Sequence, residues 1–292
     1  MKRETVAGVA TVRLLCKTFG VSRQAYYASQ KAPEPSAKVL RLPVRPDVAP
    51  AAKVLANIKV IIGENPAWGV RKVWAALRRE HELKVSKKRV WAIMKANGLV
   101  LARDSEPGEP TRGHVAVPEP NRRLAADFTT VWTKLDGVVA VVPTIDCGCR
   151  SVLGMEVTKD QQAPAVLASV EQALREAFEN PTAVPLDLEL RTDHGPQYTG
   201  ADCAGLVSRW GLVHTFAPVG RPTGNAVVER FIRTMKEEVI WLRDWNTAAE
   251  LREAITAWLV KYHTRRAHQS LGWMTPSEYR AAHLSKPVAQ AA

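Results

Sequence analysis

Three carboxylates stand where chemistry could be done. Asp127 interrupts the apolar run Leu-Ala-Ala-Asp-Phe-Thr, where burying a charge is costly unless it is paired or bound to a metal. Asp193 closes a second candidate strand in Arg-Thr-Asp-His-Gly-Pro-Gln-Tyr, at the end from which an open sheet reaches a ligand crevice. Glu229 falls in the first turns of a helix after the loop Gly220-Arg-Pro-Thr-Gly-Asn. Acids make up 29 of the 292 residues, so spacing alone says little and the contexts carry the argument.

The helix from Asn225 has two readable faces. At about 100° per residue, Val228, Phe231, Ile232, Met235 and Val239 gather on one side. Glu229, Arg233 and Lys236 share another, as a presented carboxylate with two cations or as a salt-bridged surface stripe. Around these residues the pattern is α/β. Strands are expected at Leu124–Val131, Val138–Asp146, Ser151–Thr158, Leu186–Thr192 and Leu212–Ala217, with helices at Ala163–Phe178, Ala201–Trp210, from Asn225 and Ala248–His263. That predicts a mixed five-stranded sheet.

Ahead of this core the chain is basic and helical. The first 120 residues hold 22 Lys+Arg and 10 Asp+Glu, whereas residues 121–292 hold 19 of each, so the net charge of +12 lies entirely in front. Such an excess favours a polyanion-binding front half. Proline-rich linkers are expected at 31–50 and 102–121, and a tail at 284–292. Residues 1–30 read as a short helix-turn-helix: Val12, Leu15 and Phe19 at helical spacing, a turn at Gly20, Ser22 as N-cap, and Arg23, Gln24 and Tyr27 as possible DNA-facing side chains. Between the linkers, 51–101 read as a three-helix module with helices near 51–62, 69–82 and 87–97 and with Trp68, Trp74 and Trp91 in its core. Arg71, Lys72, Arg78, Arg79, Lys87, Lys88 and Arg89 lie on its polar faces as candidate phosphate contacts.

Other classes are set aside. No apolar run approaches the length of a membrane span or a signal-peptide core. Cys16, Cys147, Cys149 and Cys203 form neither a disulfide framework nor a CxxC zinc pattern, which suits a reducing cytoplasm. Cys147 and Cys149 read as buried small residues.

Residues 122–281 resemble the catalytic core of the retroviral-integrase-like DDE transposases, specifically the OrfB product of bacterial insertion sequences. The resemblance rests on Ala-Asp-Phe-Thr at 126–129, Ile-Asp-Cys at 145–147, Thr-Asp-His-Gly-Pro-Gln-Tyr-Thr at 192–199, Arg-Pro-Thr-Gly-Asn-Ala-Val-Val-Glu-Arg-Phe at 221–231 and Tyr-His-Thr-Arg-Arg-Ala-His-Gln-Ser-Leu-Gly at 262–272. Thirty-five residues separate Asp193 from Glu229, the family's signature spacing, and Lys236 follows the glutamate by seven. Ala267 replaces the usual proline and Thr130 a frequent tyrosine.

The resemblance implies an RNase H-like core over 122–283, with Asp127, Asp193 and Glu229 converging on two Mg²⁺ ions, Mn²⁺ being an alternative. Two such ions activate an attacking oxygen and stabilise the leaving one. It further implies a polynucleotidyl transferase that recognises insertion-sequence ends and cleaves and joins them, acting as a homo-oligomer on DNA in a bacterial cytoplasm, near the nucleoid. Fusion to an upstream helix-turn-helix product is a further expectation. Lys236 and Arg233 would position the substrate phosphate. His194 is more a rim residue than a ligand, Asp146 more structural than catalytic, and Arg265, Arg266 and His268 either touch DNA or cap the C-terminal helix. The alternatives are a metal-dependent nuclease without strand transfer, or a DNA-binding regulator with an inactive core. The absence of a GxSxG elbow and a Walker loop agrees with chemistry that needs no covalent enzyme intermediate.

Overall fold

The computed structural model of the chain describes residues 5–6, 10–30, 49–101, 117–217 and 225–284. Most of both expected linkers, the loop 218–224 that leads into the Glu229 helix, and the tail 285–292 lie outside the described residues. Two compact units divide the chain, Met1–Asp47 and Val48–Ala292.

In the first unit, β1 (Thr5–Val6) pairs antiparallel with β2 (Ala10–Thr11), and α1 (Val12–Thr18) precedes α2 (Arg23–Gln30). Gly20 takes a left-handed φ of 65° at the reversal, and the Ser22 hydroxyl accepts the Ala25 N–H at 3.1 Å as an N-cap. Arg23, Gln24 and Tyr27 are exposed on α2. Phe19, expected on the apolar face, is 73% exposed because α1 ends one residue before it.

The second unit opens with α3 (Ala51–Glu64), α4 (Val70–Arg79) and α5 (Lys87–Ala96). Val54, Ile58, Ile61, Val73, Leu77, Val90 and Met94 share one core with Trp68, and Trp74 packs at its edge. Trp91 departs from the expectation at 44% exposed, because Val90 and Met94 define the buried face of α5 and Trp91 is turned about 100° from Val90.

The remainder is α/β. In order come β3 (Arg123–Ala126), β4 (Thr129–Thr133), β5 (Gly137–Asp146), β6 (Val152–Thr158), α6 (Ala163–Ala177), β7 (Glu189–Thr192), α7 (Pro196–Thr199), α8 (Ala201–Trp210), β8 (Val213–Phe216), α9 (Ala226–Glu238), α10 (Ala248–Thr264) and α11 (Pro276–Leu284). The strands form one mixed six-stranded sheet in which β3, β4 and β6 pair antiparallel with β5, while β3–β7 and β7–β8 are parallel. Side chains alternate between two cores. Leu124, Val142 and Leu190 pack under α6 and α8; Ala125, Val139 and Val141 pack against α9 and α10.

Six strands appear instead of five because the first is split at Asp127 and Phe128. Ala126 faces Thr144 and Thr129 faces Val141, so both halves keep one register on β5 and Asp127 falls opposite Pro143. Cys147 N–H bonds to the Arg123 carbonyl at 2.9 Å, and alternation from there makes 127–143 a hydrogen-bonding position. Pro143 has no N–H to donate, and the ladder lapses at the candidate acid.

Candidate active site

Two of the acids end neighbouring parallel strands. Leu124 pairs with Leu190 and Ala125 with Arg191, and that register carried on sets Asp127 level with Asp193. Phe128 N–H donates to Asp127 Oδ1 at 2.8 Å, and Gly195 N–H to Asp193 Oδ1 at 2.9 Å. A Cβ at Gly195 would stand 3.0 Å from Asp193 Oδ1 and 3.1 Å from Gln197 Oε1, so glycine there keeps the carboxylate in place.

The third acid arrives on α9. Asn225, the residue before that helix, is buried and donates its side-chain N–H to the Ala126 carbonyl at 3.2 Å. This bond ties the start of α9 to the end of β3, and Glu229 stands exposed one turn further on. Burial raises the Asp127 carboxyl to about 6; the Phe128 N–H opposes the rise, the charges of Asp193 and Glu229 add to it, and Lys236 subtracts. Burial also raises Glu229. Two strand ends and one helix, which carries both Glu229 and Lys236, therefore bring three acids and a lysine into one field. Among the described residues no three Asp, Glu, His or Cys side chains are close enough to hold a metal ion between them.

Integrase core domain families match residues 117–222 and 211–276, and an HTH-like domain family matches residues 50–104. Transposase InsD of the Escherichia coli insertion elements IS2A/D/F/H/I/K is 31% identical, over 77% of this chain and 77% of the relative. InsD of IS2-9, from the same species, is 31% identical over 77% of this chain and 76% of its own. The chain belongs to the insertion-element transposases with an integrase core. Among solved structures, a simian T-cell lymphotropic virus intasome has a TM-score of 0.47 at 14% identity, covering 75% of this chain and 78% of that one.

Elsewhere in this transposase, half of the basic candidates have partners within the chain. Lys72 Nζ lies 2.6 Å from Glu238 Oε1, Arg266 Nε lies 3.1 Å from the same oxygen, and Trp258 Nε1–H donates to Oε2 at 3.2 Å. Against burial, which would raise it, the Arg266 and Lys72 charges hold Glu238 below the usual carboxylate range. Burial and then the Arg266 charge lower Lys72 to about 8, which Glu238 only partly offsets. Arg79 pairs with Glu278 and donates to the Trp273 carbonyl, Arg71 donates to Gln269 at 3.1 Å, and Arg265 pairs with Glu64 and Glu80. Arg71, Lys72, Arg79 and Arg265 thus have partners across the contact between the helical module and the core, and Arg266 has its partner within the core. Arg78 and Lys87 lie over the Trp74 ring, 5.2 and 4.4 Å from its centroid, with Lys88 exposed and Arg89 half-buried on the same module. Arg233 pairs with Glu237 at 2.8 Å, leaving Lys236 without an ion pair among the described residues.

Other expectations resolve into architecture. His194 is exposed and stacks on Phe216 at 4.8 Å. Asp146 is wholly buried, accepts the N–H groups of Asn121, Gly148 and Cys149, and pairs with Arg280 at 3.3 Å. Cys147 and Cys149 are buried, and burial pushes the Cys147 thiol up to about 12. In the 262–272 motif, Tyr262 donates to the Arg150 carbonyl at 3.1 Å and His263 Nε2 accepts the Val152 N–H at 2.9 Å. Burial keeps His263 neutral, near 4, and holds His268 well below its ordinary value. Two residues at the site escaped the sequence reading. Asn225 signals itself only as an asparagine before a helix. The Tyr198 hydroxyl, buried without a hydrogen-bond partner among the described residues, senses both Asp127 and Asp193.

Proposed function

We propose that this transposase cleaves and joins the ends of its own insertion sequence, with Asp127, Asp193 and Glu229 holding two Mg²⁺ ions. The observation that carries the reading is the register of β3 and β7, which sets Asp127 level with Asp193 where Asn225 brings in the Glu229 helix. The residues fit the metal in donor chemistry, three carboxylates with hard oxygen donors, one of them partly buried and destabilised by the other two, although their side chains would have to draw together to share an ion. When bound, the ions would polarise the scissile phosphodiester and neutralise charge on the entering and leaving oxygens.

The side chains supply placement. Lys236 faces the same field as a cation for a phosphate oxygen, and Gly195 and Phe128 hold the two aspartates through their N–H groups. Water attacks phosphorus for end cleavage and the 3′-oxygen leaves; the freed 3′-hydroxyl attacks a target phosphodiester for joining. Arg78, Lys87 and Lys88, with Lys53, Lys59, Lys84 and Lys95 and the half-buried Arg89, offer the module's basic surface to duplex phosphates.

The test incubates the full chain with labelled element ends and Mg²⁺, scoring nicked and joined products. Asp193→Asn is expected to lose both products by at least a hundredfold while DNA binding stays at the wild-type level. Strand transfer retained by that variant would overturn the metal role.

A further inference from the structure

Lys236, whose charge reaches Asp127, also lines an open groove of about 430 Å³, together with Thr130, Trp132, Trp241, Arg243 and Trp245 among others. Two elements build it. One is β4, whose Thr130 follows Asp127 by three residues. The other is the segment after α9, a 3₁₀ turn at Ile240–Leu242 running on to Trp245. That segment is fastened to the far end of β4: Lys134 N–H donates to the Trp245 carbonyl at 3.0 Å, and Leu135 N–H to the Asn246 carbonyl at 2.9 Å. Trp245 is buried as its floor, donating its indole N–H to the Ile240 carbonyl at 3.0 Å.

The walls are unlike the floor. Trp132 is 62% exposed and Trp241 66%, more than any other tryptophan of the chain. Core packing therefore does not account for either indole, and both stand in one groove. The groove also holds Lys236, which has no ion pair among the described residues and whose charge reaches Asp127. Arg243 lies over the Trp245 ring at 4.3 Å and 3.3 Å from Glu250, while the groove's acid, Asp244, is paired with Lys134 at 3.6 Å.

We propose that this groove receives an unpaired nucleotide of the strand being cut, its base against the indoles of Trp132 and Trp241 and its phosphate at Lys236. The inference rests on the strand-transfer reading for its location and deepens it by adding the form of the substrate. Inside a duplex both faces of a base are already stacked, so exposed indoles can engage only a nucleotide that has left the helix. Every base offers a π face, so such a platform accepts any sequence, and a nearby cation supplies the charge complement. Unpaired end nucleotides seated here would hold the adjoining phosphodiester at the carboxylates.

The experiment measures binding without divalent metal, so its failure is separable from a failure of catalysis. Full-length wild type, Trp132→Ala, Trp241→Ala and Trp132→Phe are titrated into a fluorescein-labelled oligothymidylate and into a duplex of equal length. Each alanine variant is expected to bind the single strand about tenfold more weakly and the duplex unchanged, while Trp132→Phe retains most of the affinity. Melting temperatures at the wild-type value establish that the variants are folded. Single-strand affinity unchanged in both alanine variants, or undetectable in the wild type, overturns the proposal. So does a dimer that becomes monomeric on sedimentation while single-strand affinity holds, since the indoles would then be a contact between copies.

Discussion

At the scale of single residues, the site is organised by the cost of charge. Asp127 sits where a strand loses a rung to Pro143, and its carboxyl is raised to about 6 chiefly by burial. The folded chain therefore keeps a proton that the unfolded chain would release between about 3.8 and 6. This group favours folding most below the lower value and loses that contribution as pH rises through about 6. Asp127→Asn is accordingly expected to raise the metal-free melting temperature at pH 7.5 by a few degrees, for about 1–2 kcal/mol, with the gain vanishing near pH 4. Calorimetry at the two pH values checks it. Mg²⁺ in turn is expected to stabilise the wild type and leave Asp127→Asn unmoved, because binding to the folded state alone raises stability. An equal response of both chains would remove Asp127 from the metal site.

At the scale of elements, α9 joins three surroundings. Val228, Phe231, Ile232 and Met235 anchor it in the core, Glu229 and Lys236 carry charges that reach Asp127 at the end of β3, and Glu238 at its last residue meets α4. Its position along the sheet is set at the other end by the Asn225–Ala126 bond. Asn225→Ala removes that bond and leaves a buried carbonyl without it, costing about 1 kcal/mol of stability. With Glu229 in the proposed role, the larger effect is on activity, since displacing a catalytic group by about 1 Å can cost about a hundredfold. Cleavage is expected to fall at least tenfold with little change in DNA affinity; parallel cleavage and binding assays separate the two. The helices and strands were legible in the sequence because period and capping act over a few residues, as Ser86 before α5 and the alternation of Leu124, Ala125 and Ala126 show. The split of the first strand was not, because it depends on which residue of another strand lies opposite Asp127.

At the scale of the whole second unit, the helical module is fastened to the core through charges. Glu238 receives Lys72 from the module and Arg266 from the segment after α10. Glu238→Gln would leave two cations facing each other in a largely buried place, a change expected to cost about 3–5 kcal/mol. Urea denaturation of the full chain measures it, and a loss under about 1 kcal/mol would show that the pairs add little. This fastening also changes the meaning of the front-half charge. The +12 excess lies in the first 120 residues, but Arg71, Lys72 and Arg79 are neutralised or engaged across the module–core contact. Arg78, Lys84, Lys87, Lys88 and Lys95 remain exposed on the module.

The sequence by itself determined the family and most of the elements, and it singled out three acids as candidates, because each is written in short motifs whose physics is local. Tertiary structure alone decided which cations are occupied, how Asp127 comes level with Asp193, and that Trp132 and Trp241 share a groove beside Lys236. Lys72 and Glu238 are 166 residues apart and Arg71 and Gln269 are 198 apart, separations over which no local pattern reports a distance. An ion pair and a ring contact both depend on distances through space that the sequence does not record, so only the folded chain can say which charge is paired and which ring is left open.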